Sequence, residues 1–286
     1  MKITEKYHSS SGPTFLSDFS PPRGPDKSVI EDASKLPVDF ICVAHSPGRA
    51  VRSDSAMLAH AIKHNTGKDV IFNLPTRDMN KLGLQTHIIG AQLLGLENVV
   101  VMQGEEFSKK DQLTVSRVNG FTTTSLIKSI NQLNQGIDFR GTKLHTSTDI
   151  CIGGTIDLSS DLPTEIRLTQ KKVTAGADFV ITQPIFDATL PSKFLEEYET
   201  LTGVPLSIPV FYAIQVLKKH SVTFSSVPKT ILSDLDNGRS GSDIALDLLH
   251  ELLNTGLRGI HIIPPILKGG LRDYDTAADV VTRLSA

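Results

Sequence analysis

The 286-residue chain is 39% hydrophobic and 21% charged, with a formal net charge of −2. That balance supports a large core and provides no electrostatic pull toward nucleic acid or an anionic membrane, so neither is expected as a partner. No apolar run is long enough to span a bilayer, and the polar opening MKITEKYHSSSGP lacks the apolar stretch of a signal peptide; a cytoplasmic location is expected.

Taken in chain order, short β-branched runs alternate with longer amphipathic stretches. Strands are predicted at 14–19, 38–43, 69–73, 98–102, 149–152, 178–182, 208–212 and 259–263. Helices are predicted at 53–65, 79–94, 162–175, 190–201 and 242–253. Gly67, Gly95, Gly176, Gly203 and Gly256 stand where helices end, in positions that favour a left-handed residue. Eight strands alternating with helices predict an α/β fold, a closed (β/α)8 TIM barrel occupying 1–286 as one domain. An open doubly wound sheet is the competitor, but it would bring a glycine-rich fingerprint after the first strand. The chain instead has Ser20-Pro21-Pro22-Arg23-Gly24, whose prolines cannot donate to a phosphate. Cys42 and Cys151 fall in strands and are expected to be buried thiols in a reducing compartment. Two connections are long. The polar segment 104–116 suits either a lid or a solvated loop, and 215–237 is expected to hold one or two short helices.

In a parallel barrel the pocket forms at the C-terminal ends of the strands. Asp18 and Ser20 stand there for the first strand, His45 and Ser46 for the second, and Asn73, Thr76, Arg77 and Asp78 for the third. Gln103, Gly104 and Glu105 follow the fourth strand. Gly153, Gly154, Thr155 and Asp157 follow the fifth, and Gln183 and Asp187 the sixth. Asp18 and Glu105 are the candidates for proton transfer, since a carboxyl in a partly dry pocket can donate near neutral pH. The competing reading is that one of them holds an arginine such as Arg23 or Arg77. Gln183 can donate and accept at once, which suits the edge of a heterocycle; a barrel-mouth amide bonded to a loop is the plainer alternative. Gly153 and Gly154 allow a ligand close to the backbone, or merely form a turn. His45 is a loop hydrogen-bonder before it is a catalyst. No metal-ligand spacing, P-loop or nucleophile elbow occurs, so no metal site is expected.

Several segments together resemble the methylenetetrahydrofolate reductase family. They are Asp18-Phe19-Ser20-Pro21-Pro22-Arg23, Thr76-Arg77-Asp78-Met79-Asn80 with Leu84-Gln85, and Leu94 through Glu105. Lys172 through Pro184 and Gly259 through Pro265 follow in the same order. The resemblance implies reduction of 5,10-methylenetetrahydrofolate to 5-methyltetrahydrofolate, with NAD(P)H passing hydride through FAD. By position, Asp18 replaces the glutamate that protonates the folate nitrogen, and Glu105 replaces an aspartate near flavin and folate. Gln183 corresponds to a folate contact, and Phe224 is placed with it as substrate-binding. His45, Asn73, Gln103, Gly104, Gly154, Thr155 and Lys172 are assigned to the cofactor. The chain departs from the family pattern at Asp18, at Ala44 and Asn73, and at Gln103-Gly104-Glu105 in place of Arg-Gly-Asp. The last three changes gather on the flavin pocket. Direct hydride transfer from NAD(P)H to the folate is therefore an alternative, as is a folate-binding accessory subunit without activity. A methyltransferase using methyltetrahydrofolate is a more distant one. Family members often assemble as oligomers, which leaves a homo-oligomer as an open expectation.

Overall fold

The computed structural model describes residues 1–118 and 120–285. Strands β1 (Thr14–Phe19), β2 (Phe40–Val43), β3 (Asp69–Pro75), β4 (Asn98–Met102), β5 (Cys151–Ile156), β6 (Phe179–Pro184), β7 (Val210–Gln215) and β8 (Gly259–Ile263) pair in parallel in chain order, and β8 returns to β1. The closure is set by Leu16 opposite His261 on one side and Asp18 opposite Cys42 on the other. The expected closed barrel is what the chain forms.

Strand periodicity divides the core in two. Leu16, Phe40, Cys42, Ile71, Val100, Cys151, Phe179, Ile181 and Phe211 fill the barrel interior. The alternate residues, among them Ile41, Phe72, Val99, Val180, Tyr212 and Ile262, pack outward against the helical layer. That layer comprises α2 (Val29–Lys35), α3 (Ser55–Thr66), α4 (Lys81–Leu93), α5 (Thr123–Asn134), α6 (Leu162–Thr174), α7 (Thr189–Thr202), α8 (Lys229–Asp236), α9 (Gly241–Asn254) and α10 (Tyr274–Ser285). The polar opening of the sequence conceals a further helix, α1 (Ile3–Ser9), which plugs the end where the strands begin. Its Ile3 N–H donates to Asn98 Oδ1 at 2.8 Å, and Tyr7 meets the Phe211 ring edge-on.

The five predicted helices lie within about two residues of their observed bounds, and all five helix-end glycines have positive φ. The segment 215–237 holds a single helix, α8. Both cysteines are buried and free; burial pushes the Cys42 thiol up and the Cys151 thiol up to about 12.

Four strands run further toward their C-terminal ends than expected. β3, β5, β6 and β7 extend to Pro75, Ile156, Pro184 and Gln215, so Gly153, Gly154, Thr155 and Gln183 are strand residues rather than loop residues, while Asn73 lies in the strand as predicted. The clearest correction concerns the glycine pair. A Cβ on Gly153 would lie 2.4 Å from the Phe179 ring, so this glycine makes room for a core aromatic. Gly154 faces outward, where a Cβ would meet Lys172 Cδ at 3.4 Å and Ile127 at 3.6 Å. Both glycines answer to side-chain packing. Gly153→Ala is expected to cost about 1–3 kcal/mol through overpacking, and Gly154→Ala far less. Denaturation midpoints of the two variants check this, and equal losses would refute the steric role of Gly153.

Candidate active site

The C-terminal ends of the strands surround a cavity of about 240 Å³. Of the predicted residues, Asp18, His45, Asn73, Gly104, Glu105, Thr155, Gln183 and Phe224 line it. Gln103 and Lys172 do not. They lie in a second cleft of about 300 Å³ on the far side of Thr155 and Gln183, near the start of α5. Asp187 is elsewhere, bonded to Thr189 at the start of α7.

Asp18 projects from β1 into the cavity and is bound by an arginine that the sequence reading did not name. Arg272 Nε donates to Asp18 Oδ2 at 2.9 Å, with the two side chains 3% and 11% exposed. Oδ1 accepts no hydrogen bond among the described residues. Arg23 does not pair with it, and Arg77 binds Asp78 through Nε and Nη2 while Nη1 donates to the Glu105 carbonyl at 2.7 Å. Burial alone would raise the Asp78 carboxyl. Hydrogen bonds from His45 and Arg77, together with their charges, instead hold it well below the ordinary carboxylate range.

Glu105 sits at the rim. Its Oε1 accepts from the Gly48 N–H and its Oε2 from Arg49 Nη1, both at 3.0 Å, leaving the side chain 48% exposed. Arg49 also binds Asp111 at 3.0 Å, clasping the segment after β4 to the loop after β2. Gly104 is required in that turn: its φ is +83°, and a Cβ would lie 3.1 Å from Pro75 Cβ.

The second strand end is internally bonded. Ser55 Oγ donates to the Asn73 carbonyl at 2.7 Å and stands 3.1 Å from His45 Nδ1, while His45 Nε2 lies 3.3 Å from Asp78 Oδ2. Asn73 Oδ1 accepts from the Cys42 thiol. Gln183, in contrast, makes no side-chain hydrogen bond among the described residues, which leaves its amide open to a ligand.

Three further residues shape the cavity. Buried Gln215 donates from Nε2 to the Val222 carbonyl at 2.7 Å and accepts from the Phe224 N–H at 3.4 Å, which sets the half-exposed Phe224 ring at the mouth. Arg272 lies 5.9 Å from that ring. His261, on β8, lines the floor with both ring nitrogens buried and without a hydrogen-bond partner among the described residues, and burial lowers its pKa to about 4 despite the Asp18 charge. A histidine inside the apolar run Gly259–Ile263 is the one of these three that carried a signal in the sequence. Gln215 and Arg272 lie in stretches without any.

Three of the seven residues assigned to FAD, Gln103, Gly154 and Lys172, lie outside the cavity and do not fit that role. Lys172, the cation expected at the flavin, is committed to the Thr155 carbonyl at 2.7 Å and to Glu165 Oε1 at 3.2 Å. The cleft around it holds two carboxylates, Asp157 and Glu165, against that one paired ammonium. A flavin diphosphate would face net negative charge there. The Gln103 amide is turned to Glu106, and Gly154 faces α5 and α6.

Fold and cavity define a (β/α)8-barrel protein with a largely apolar site at the strand C-termini into which a few polar side chains converge. Residues 3–265 match the family model for methylenetetrahydrofolate reductase, and the chain belongs to that family. Among solved structures, an uncharacterized protein from Clostridium thermocellum that binds two copies of 5-methyl-5,6,7,8-tetrahydrofolic acid superposes with a TM-score of 0.71. It is 13% identical, and the match covers 99% of each chain. A 2,3-dimethylmalate lyase is also 13% identical, with a TM-score of 0.56 over 91% of this chain and 79% of the other. The long-chain alkane monooxygenase LadA is 10% identical, with a TM-score of 0.55 over 96% and 92%. These likenesses bear on the fold. No helix among the described residues is long and apolar enough to cross a membrane, and no cluster of metal-ligating side chains occurs among them.

The buried histidine gives a pH expectation with a definite sign. His261 titrates near 4 in the folded chain against 6.5 for a free histidine, so the unfolded chain binds more protons between those values. Its contribution to stability is complete above about pH 6.5 and is lost as the pH falls through 4, on the order of 3 kcal/mol in all. Denaturant midpoints from pH 7 to 4 should fall less steeply for His261→Phe than for the wild type. Parallel curves would remove His261 from the account.

Proposed function

We propose that this chain reduces 5,10-methylenetetrahydrofolate to 5-methyltetrahydrofolate, with NAD(P)H delivering hydride directly and no flavin between. The observation that carries this reading is the position of three residues assigned to FAD. Asp18, Gln183 and Phe224, assigned to the substrate, share one cavity with His45, Asn73, Gly104 and Thr155, whereas Gln103 and Lys172 lie in the second cleft, each bonded to a carboxylate, and Gly154 faces α5 and α6. Family membership supports the folate and the reduction. The folate bound by the Clostridium thermocellum protein supports the same ligand class.

In this reading the free Gln183 amide takes the pterin edge and Phe224 covers the aryl ring of the substrate. Arg272 fixes Asp18 through Oδ2, so that Oδ1 is presented to the ligand. A proton delivered at Asp18 to the folate N10 breaks the bond between N10 and the bridging carbon, leaving an iminium at N5. Hydride from the nicotinamide reduces that carbon to a methyl group, and the nicotinamide is oxidised. His261 and the apolar interior beneath keep bulk water from the floor.

Purified protein should be colourless after incubation with FAD and gel filtration, yet should oxidise NAD(P)H only when methylenetetrahydrofolate is present. A retained flavin band would overturn the direct route. A colourless protein that binds folate but shows no turnover would make it a folate-binding accessory protein. Asp18→Asn should lower kcat by about 10²–10⁴-fold while changing folate affinity little. Asp18→Glu, which preserves the charge opposite Arg272, separates loss of the proton from loss of the ion pair. Equal loss of binding and turnover in Asp18→Asn would remove the acid role.

A further inference from the structure

The polar segment 104–116, which the sequence leaves open as lid or solvated loop, is held firmly at its base and lightly beyond it. At the base, the Gly104 turn, the bond from Arg77 Nη1 to the Glu105 carbonyl and the Phe107 ring 4.5 Å from the Arg77 guanidinium fix the chain as it leaves β4. Beyond Phe107 the segment folds on itself. Ser108 N–H and Oγ donate to Asp111 Oδ2 at 3.0 and 2.7 Å, and a short 3-10 turn covers Asp111–Leu113. No residue of 104–116 is buried, and Leu113 is exposed although apolar. What joins the segment to the opposite rim is polar. Arg49 Nη1 and Nε donate to Glu105 Oε2 and Asp111 Oδ2, and Gly48 N–H donates to Glu105 Oε1, all at 3.0 Å.

Strained backbone marks that opposite rim. In the loop after β2, Ser46, Gly48 and Arg49 have φ of +42°, +68° and +58°. Ser46 and Arg49 carry side chains, and such residues enter the left-handed region at a cost and stay there only where their surroundings hold them. Around Gly48 and Arg49 those surroundings are the carboxylates of Glu105 and Asp111. The side chains are partly exposed, Arg49 and Asp111 to 34% and Glu105 to 48%. Exposed ion pairs are individually weak and are screened by salt. Two weak pairs thus balance a strained loop, which leaves a small free-energy gap between the joined and parted arrangements. The contact lies over the cavity, since Ser46 and Pro47 from one rim and Gly104 and Glu105 from the other line it.

We propose that 104–116 is a lid on the cavity, latched to the loop after β2 by Arg49 against Glu105 and Asp111, and that ligands enter and leave when the latch parts. This rests on the cavity being the ligand site, as in the reading above, and not on which ligand fills it. Parting lets Ser46 and Arg49 relax to ordinary φ, which offsets the loss of the ion pairs, while Arg77 keeps the base in place. Closing excludes water from the mouth and strengthens the polar contacts that Asp18 and Gln183 offer a ligand. Glu105 is then a positioning residue, and Asp18 is left as the proton donor.

The first measurement needs no ligand. Hydrogen exchange is followed by mass spectrometry in peptides spanning 44–52 and 104–116, in low and high salt, for the wild type, Arg49→Gln and Arg49→Lys. Exchange in both wild-type peptides is expected to quicken together as salt rises. Arg49→Gln should quicken both by roughly tenfold at low salt, the combined worth of two exposed pairs, and should remove the salt dependence; Arg49→Lys should fall between. Unchanged melting temperatures show that the barrel is intact. The second measurement is stopped-flow release of NADH and of 5-methyltetrahydrofolate. Both should leave Arg49→Gln roughly tenfold faster and also enter faster, so that Kd moves less than either rate. Exchange that is unchanged in Arg49→Gln, or that changes in one peptide alone, overturns the latch. Fast, salt-independent exchange of 104–116 in the wild type makes it a solvated loop and overturns the lid. Unaltered release rates, with exchange altered as expected, overturn the gating role. A wild type that binds NADH but no folate overturns the folate reading, and exchange and NADH release still decide the latch. Binding of neither ligand overturns both.

Discussion

The site depends on the ion pair between Asp18 and Arg272. One partner lies inside β1 and the other in the loop after β8, so the contact spans the seam where the barrel closes. Both charges are nearly removed from water, and such a pair contributes little net stability while the loss of either partner leaves a costly unpaired charge. Its value lies in position. Arg272 belongs to a short antiparallel bridge with Ile266, which also pairs with Val222 two residues before Phe224. The carboxylate in the floor and the aromatic ring at the mouth are therefore held by one connected piece of backbone. Gln215 secures the other end of that piece from inside β7.

Charge around the mouth is uneven, and this restricts what can lie where. On the side of β5 and β6, Lys172 is neutralised by Glu165, Asp157 adds a further negative charge, and the Gln183 amide makes no side-chain hydrogen bond among the described residues. On the side of β1 and β8, cations outnumber acids, with Arg23, Arg52 and Arg272 close together. A ligand carrying anionic groups at one end and a neutral heterocycle at the other is oriented by this asymmetry before any specific contact is made. Arg77 stiffens the arc between these sides. Its buried guanidinium holds Asp78 and the Glu105 carbonyl and lies over Phe107 at 4.5 Å, so the loop after β4 is fixed from below as well as clasped by Arg49.

The architecture was legible because five of the βα units announce themselves with an apolar run, an amphipathic helix and a glycine of positive φ, although α2, α5 and α10 were not among the predicted helices. The strand ends were less so, for a physical reason tied to function. Thr155 and Gln183 are inward-facing strand residues that line the cavity, and Gln215 is a buried polar residue at the end of β7; polarity at those positions reads as loop. Gly153 misled in a different way. Its purpose is the Phe179 ring from the neighbouring strand, and nothing local to residue 153 reveals that. Asp18 and Gln183 could be placed from motifs at the ends of their strands, whereas Phe224 lies in no quoted motif, nine residues beyond the end of β7. Arg272 and Gln215 could not, because their roles exist only once β1, β7 and β8 are neighbours.

Departures from good packing practice locate the site independently of any motif. A buried histidine without partners and a dry ion pair are each unfavourable to folding, and so are three orphaned donors beside crowded arginines. Isolated orphan hydroxyls occur elsewhere, as at Thr14 and Thr169, where one weak group costs little. At the C-terminal face they are concentrated: His261 in the floor, then Ser20, Arg52 and Ser53 along one edge. The rest of the barrel is conventionally packed, with Phe40, Phe72, Phe179 and Phe211 fully buried and α1 closing the opposite end. Stability from that packing is what allows this one face to keep polar groups unsatisfied, and unsatisfied groups are what a ligand can complete.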